Sequence, residues 1–176
     1  MSEVAQRHLA DLRETIVLTR RDLDRLAERI RAAAERFDAD VGQLEIYGAG
    51  ALVHGYYTHL ERLFERVVRL LNTGPSEGAD WHRRLLASMT VDKPGVRPAL
   101  IDATLAAELD ELLRFRHLFR NLYVLDLDAR RIAALLECVG RVHSALTASL
   151  DAFDRFLGAL ESSTVERDLT TRSHST

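Results

Sequence analysis

The sequence predicts an all-α protein, an up-down bundle of four main helices and one short one. Three observations predict it. Leu and Ala together make 51 of the 176 residues. Apolar residues recur at three- and four-residue spacing along most of the chain, and no stretch alternates apolar with polar in the strand period. All three prolines (Pro75, Pro94, Pro98) fall in the middle, which leaves a proline-free block on either side.

The first helix runs from about 5 to 37. Its apolar positions Ala5, Leu9, Leu12, Ile16, Thr19, Leu23, Leu26, Ile30, Ala33 and Phe37 form a narrow seam. It is longer than its neighbours, so part of that seam is available to a second subunit. Asp40 followed by Gln43 has the form of a capping box and opens the second helix, which Asn72-Thr73-Gly74-Pro75 closes. Residues 80 to 90 read as a short third helix. The segment Val91-Asp92-Lys93-Pro94-Gly95-Val96-Arg97-Pro98 is a loop. Asp102 caps a fourth helix that runs to about 124, and Asp126 or Asp128 caps a fifth. The fifth helix places Ile132, Leu135, Val139, Val142, Leu146, Leu150, Phe153, Leu157 and Leu160 on one face. Residues 1–160 therefore make a single helical domain. Eight of the 16 residues from 161 to 176 are Ser or Thr without periodicity, which predicts a disordered tail.

Composition narrows the function classes. The net charge is −3, so no global basic field drives non-specific nucleic-acid binding, and no DNA partner is expected. Any basic site must be local. Of the 24 basic Lys and Arg residues only Lys93 is Lys; codon bias accounts for most of that excess, although guanidinium groups also suit phosphate oxygens. The single Cys138 excludes a disulfide framework and a cysteine zinc site and fits a reducing compartment. The N-terminal residues carry charges every few positions with no apolar signal region, and no stretch is long and apolar enough for a membrane span. A soluble, cytoplasmic protein is expected.

Nucleotide-binding and hydrolase motifs are missing, and none of the seven histidines forms an i,i+3 or i,i+4 pair, so neither a cofactor nor a metal is expected. One segment differs from the rest. From Leu112 to Leu125 there are three arginines and a histidine but no acid. On a helical wheel Leu112, Phe115, Leu118, Phe119 and Leu122 occupy an arc of about 120°, while Arg114, Arg116, His117, Arg120 and Asn121 lie opposite, with Tyr123 beside Arg116. Arg116 and Arg120 are like charges one turn apart and need compensation. Acids on a neighbouring helix could supply it, or a bound phosphate could, with His117 available for proton transfer. Flanking guanidinium groups would favour its neutral form. On the second helix Tyr47, His54, Thr58 and Glu61 share a polar face. If the second and fourth helices are neighbours, Glu61 or Glu65 could pair with Arg116 or Arg120. Trp81-His82-Arg83-Arg84 offers a further basic edge.

Leu52-Val53-His54-Gly55-Tyr56-Tyr57, Glu61 to Arg66, Trp81 to Leu86, and Arg116 to Tyr123 follow one another in an order that resembles the HepT-like ribonuclease toxins of the HEPN superfamily. The resemblance covers roughly residues 44 to 157. It implies a helical bundle that dimerises around a cleft lined by the motif helix of each subunit, and metal-independent RNA cleavage there. It also implies a minimal nucleotidyltransferase antitoxin as partner, with Tyr123 as the tyrosine that receives AMP. The family motif places a histidine five residues after its arginine. Arg116 and Tyr123 keep that register, but Asn121 occupies the histidine position, and Asn performs no acid–base chemistry. Two readings follow. In one, His117 is the base or acid for attack of the ribose 2′-OH on the adjacent phosphodiester, Arg116 and Arg120 stabilise the developing charge, and Asn121 orients the phosphate. In the other, a catalytically degenerate module uses the same face to bind RNA, a nucleotide or a partner protein.

Overall fold

The computed structural model describes residues 3–37, 41–71, 73, 78, 80–121 and 127–173. Five helices follow in order: α1 (Glu3–Ala34), α2 (Gln43–Leu70), α3 (Trp81–Ser88), α4 (Ala103–Arg120) and α5 (Ala129–Ser173). Among the described residues there is no strand, only an isolated bridge between Lys93 and Arg97. None of these helices is long and apolar enough to cross a membrane.

α1 forms because its seam repeats every three to four residues, and Leu9, Leu12, Ile16, Leu23 and Ile30 from that seam are buried. They pack on α2 and α5. Outside the seam, Arg13 bridges Asp154 and Glu161, and Arg20 bridges Asp151, which ties α1 to α5 along a polar edge. α2 is the central helix, in contact with every other one. Its buried face carries Val53, Tyr56, Tyr57, Leu60, Leu63, Phe64 and Val67, and burial pushes both tyrosine hydroxyls well above the usual phenol range. Tyr56 hydroxyl meets His143 Nδ1 at 3.1 Å, and His143 Nε2 lies 3.3 Å from Asp24, so one polar chain joins α2, α5 and α1.

The start of α2 departs from expectation. Gly42 is its N-cap, without a side-chain bond, and Asp40 lies outside the described residues. Gly50 has a packing reason: a Cβ there would sit 3.0 Å from the Phe119 ring, so the ring would have to give way for any side chain at this crossing of α2 and α4.

After α3 the chain turns at Gly95, whose φ of +75° is left-handed, and folds back on Arg97. Arg97 is 3% exposed. It donates to the carbonyls of Ser88, Val91 and Pro98 and to the Thr73 hydroxyl, so it acts as the internal scaffold of the loop. Asp102 then caps α4 by accepting from the Leu105 amide at 2.7 Å, and Asp128 caps α5 by accepting from the Arg130 and Arg131 amides. α5 continues to Ser173, where the composition from 161 predicts no regular structure. No proline or glycine follows Gly158 to stop it.

Candidate functional site: a buried carboxylate shared by three helices

Glu61 lies on the inward face of α2 and is 2% exposed. An ionised carboxylate at that depth is costly unless paired and hydrogen-bonded. Both of its oxygens are used. Arg116 Nη2, from α4, lies 2.6 Å from Oε2, and His82 Nδ1, from α3, donates to Oε1 at 2.7 Å. One carboxylate thus joins three helices, and Arg116 and His82 do not touch the same oxygen.

The His82 ring stacks on Trp81 on one side, with centroids 4.4 Å apart, and meets His117 edge-on at 4.9 Å on the other. Trp81 is half-buried against the core, which supports the ring from behind. Because Nδ1 is committed to a carboxylate, which only accepts, the proton of a neutral His82 sits on Nδ1 and leaves Nε2 for other partners. Beside the two imidazoles a cleft of about 300 Å³ opens between α3 and α4, lined by His82, Arg83, Asp110, Arg114 and His117 among others.

Partial burial holds the His117 pKa below the ordinary histidine value, helped by the positive charges of His82 and Arg116. His54 is also pushed down, by burial first and then by Arg116 and Arg120; its ring packs on Phe119 at 5.2 Å. Both imidazoles therefore favour the neutral form. Among the described residues no group of three or more His, Cys, Asp or Glu is placed to hold a metal ion.

The structure sorts the residues singled out from the sequence. Glu61, Arg116 and His117 come together, and the neighbouring-helix acid that could neutralise an arginine is Glu61 itself. Arg116 is corrected in orientation: the wheel puts it on the polar arc, yet it is 8% exposed and points into the bundle. Its Nε and Nη1 are buried and carry no hydrogen bond among the described residues. A helical wheel reads one helix alone and cannot show that α2 brings a carboxylate to that flank.

Arg114 lines the cleft but is not a free cation. It pairs with Asp110 at 2.6 Å and Glu111 at 3.0 Å, two acids just before the acid-free stretch. Asn121 is the C-cap of α4, and its side-chain Nδ2–H donates to the His117 carbonyl at 2.9 Å, so it closes the helix. Arg120 is exposed and forms no ion pair among the described residues. Tyr123 lies outside the described residues.

Sequence reasoning missed His82 as a member of the site. Glu61, His82 and His117 lie far apart along the chain, and the cluster exists only once α2, α3 and α4 pack. The one available signal was Trp81-His82-Arg83-Arg84, read as a basic edge.

A family model described as HepT-like protein matches residues 49–157, well over half of the chain, and this span contains every residue of the cluster. No curated protein and no solved structure matches.

Proposed function

The chain belongs to the HepT-like family, and from that premise we propose that it is a ribonuclease toxin that cleaves RNA without a metal at the α3–α4 cleft. The observation that carries this reading is His117 at the mouth of that cleft, in edge contact with a second imidazole that is anchored on a buried carboxylate. An imidazole held neutral at physiological pH accepts a proton from a ribose 2′-OH. Arg120 supplies positive charge at the same end of α4 for the phosphate oxygens. Arg116 acts through Glu61, as a positioning residue. A homodimer that sets two such clefts along one seam would double the local positive charge, which suits a net acidic protein that holds RNA. The partner in this reading is a minimal nucleotidyltransferase antitoxin that attaches AMP to Tyr123.

A second reading has one observation in its favour. Asn121 occupies the position of the family histidine, and its side chain is engaged in closing α4, so the reading of a module that binds RNA, a nucleotide or a partner protein without cutting also has support.

Labelled RNA incubated with purified protein in excess chelator separates the two. The toxin reading expects cleavage that His117→Ala abolishes and Cys138→Ala leaves intact. Bound but uncut RNA at high protein concentration supports the second reading and overturns the first. For the antitoxin, intact mass after co-expression with such a nucleotidyltransferase should rise in the wild type and not in Tyr123→Phe.

A further inference from the structure

Resting on the ribonuclease reading, we infer that His82 is the second catalytic imidazole, the general acid that protonates the leaving 5′-oxygen while His117 removes the proton of the attacking 2′-OH. Neither imidazole stands alone. The two rings are in edge contact at 4.9 Å and line the same cleft. They differ in what stands behind them. His82 Nδ1 is bonded to Glu61, which is locked in turn by Arg116, whereas His117 is on the exposed side of α4 with no carboxylate against its ring among the described residues.

That difference sorts the roles. A single proton shared by two adjacent imidazoles sits on the ring whose other nitrogen faces a carboxylate, because the resulting positive charge is then compensated at contact distance. The charged groups around the rings agree. Glu61 faces them from α2, Asp80 and Arg83 from the start of α3, and Asp110, Arg114 and Arg116 from α4. Asp110 is already taken by Arg114, so among the described residues Glu61 is the acid in contact with this pair of rings. A second proton, on His117, is opposed first by the partial burial of its ring and then by His82 and Arg116, which leaves His117 able to accept. The geometry thus gives the donor role to His82 and the acceptor role to His117.

The step balances. The 2′-OH proton passes to a His117 nitrogen as the 2′-oxygen forms its bond to phosphorus. The bond from phosphorus to the 5′-oxygen breaks, and that oxygen takes the proton from His82 Nε2. The products are a 2′,3′-cyclic phosphate and a 5′-hydroxyl. Exchange of one proton with water, off His117 and onto His82, resets the site.

The roles separate by leaving group. Full-length wild type, His82→Ala, His82→Asn and His117→Ala are assayed in chelator on a mixed-sequence labelled RNA and on uridine 3′-(4-nitrophenyl phosphate), whose leaving group departs without a proton. His82→Asn keeps an N–H for Glu61 and so guards against a loss that reflects folding. Both His82 variants should lose about 10²- to 10⁴-fold on RNA, together with the high-pH limb of the rate profile, and keep near wild-type rates on the nitrophenyl ester. His117→Ala should lose both substrates. Full activity of His82→Asn on RNA, or equal losses on the two substrates, overturns the assignment while the ribonuclease reading stands. A wild type that leaves RNA intact overturns that reading, and the acid assignment with it.

Discussion

Replacing Glu61 by Leu should destabilise the protein far more than replacing Glu61 and Arg116 together. Glu61 is 2% exposed and Arg116 8%, their charged atoms lie 2.6 Å apart, and Arg116 Nε and Nη1 have no acceptor among the described residues. Glu61 is therefore the acceptor that compensates the buried guanidinium. Its removal leaves an unpaired charge inside the bundle, which costs about 3–5 kcal/mol. For a chain of this length that corresponds to a fall in Tm of about 6–20 °C. Arg116→Met leaves the mirror image, a buried carboxylate whose remaining partner is His82, and should cost a similar amount. In the double variant Glu61→Leu/Arg116→Met no charge is orphaned and apolar side chains fill the site, so stability should return to within about 1–2 kcal/mol of wild type. Chemical denaturation followed by far-UV circular dichroism on the four proteins measures the coupling. Single variants that each cost less than about 1 kcal/mol and add up in the double would show that the pair is not buried and coupled, since solvent-exposed ion pairs behave that way.

Four further outcomes follow from the same geometry. The folded-state pKa values of His54 and His117 are held below the ordinary value of about 6.5, so the unfolded chain binds more protons there; stability should be flat near neutral pH and decline as pH falls below about 6.5, read as Tm against pH, with a smaller decline in His54→Gln. Arg97→Ala strips four hydrogen bonds from a residue that is 3% exposed and should lower stability by about 3 kcal/mol or more, with faster amide exchange at Leu100 and Ile101. Asp102→Ala removes a side-chain cap and should cost about 1 kcal/mol by denaturant titration. Arg13→Ala breaks part-exposed bridges to Asp154 and Glu161, so its cost should stay within about 1 kcal/mol and shrink further in high salt.

Much of the fold was legible in the chain, because local physics decided it. Of the seam that repeats along α1, Leu9, Leu12, Ile16, Leu23 and Ile30 are buried, while Thr19, Leu26 and Ala33 are partly buried. Asp102 and Asp128 cap where the helix signal begins, and Pro94 and Pro98 fall in the loop between α3 and α4. Arg97 was not legible: its burial depends on a loop that wraps its guanidinium with carbonyls, and nothing in the sequence distinguishes it from twenty-two other arginines. The helical course of α5 past 161 was missed for a related reason, since Ser and Thr weaken a helix without stopping one. Within the site, the polar face around His117 was visible from the missing acids, but the acids that matter come from elsewhere. Asp110 and Glu111 lie one turn back along α4, and Glu61 arrives from α2. Asn121 shows the reverse: its position in the motif suggests chemistry, while its contact is with the last turn of its own helix.

The chemistry assigned to His117 is tested most directly on RNA with no metal present. End-labelled RNA is incubated in chelator with wild type and with His117→Ala, each first shown to melt as a folded protein, and the fragment ends are identified. Wild type should form fragments ending in 2′,3′-cyclic phosphate and beginning with 5′-hydroxyl, and the variant should form them about 10²-fold or more slowly. Intact RNA with wild type, or equal cleavage by the two proteins, would contradict that assignment.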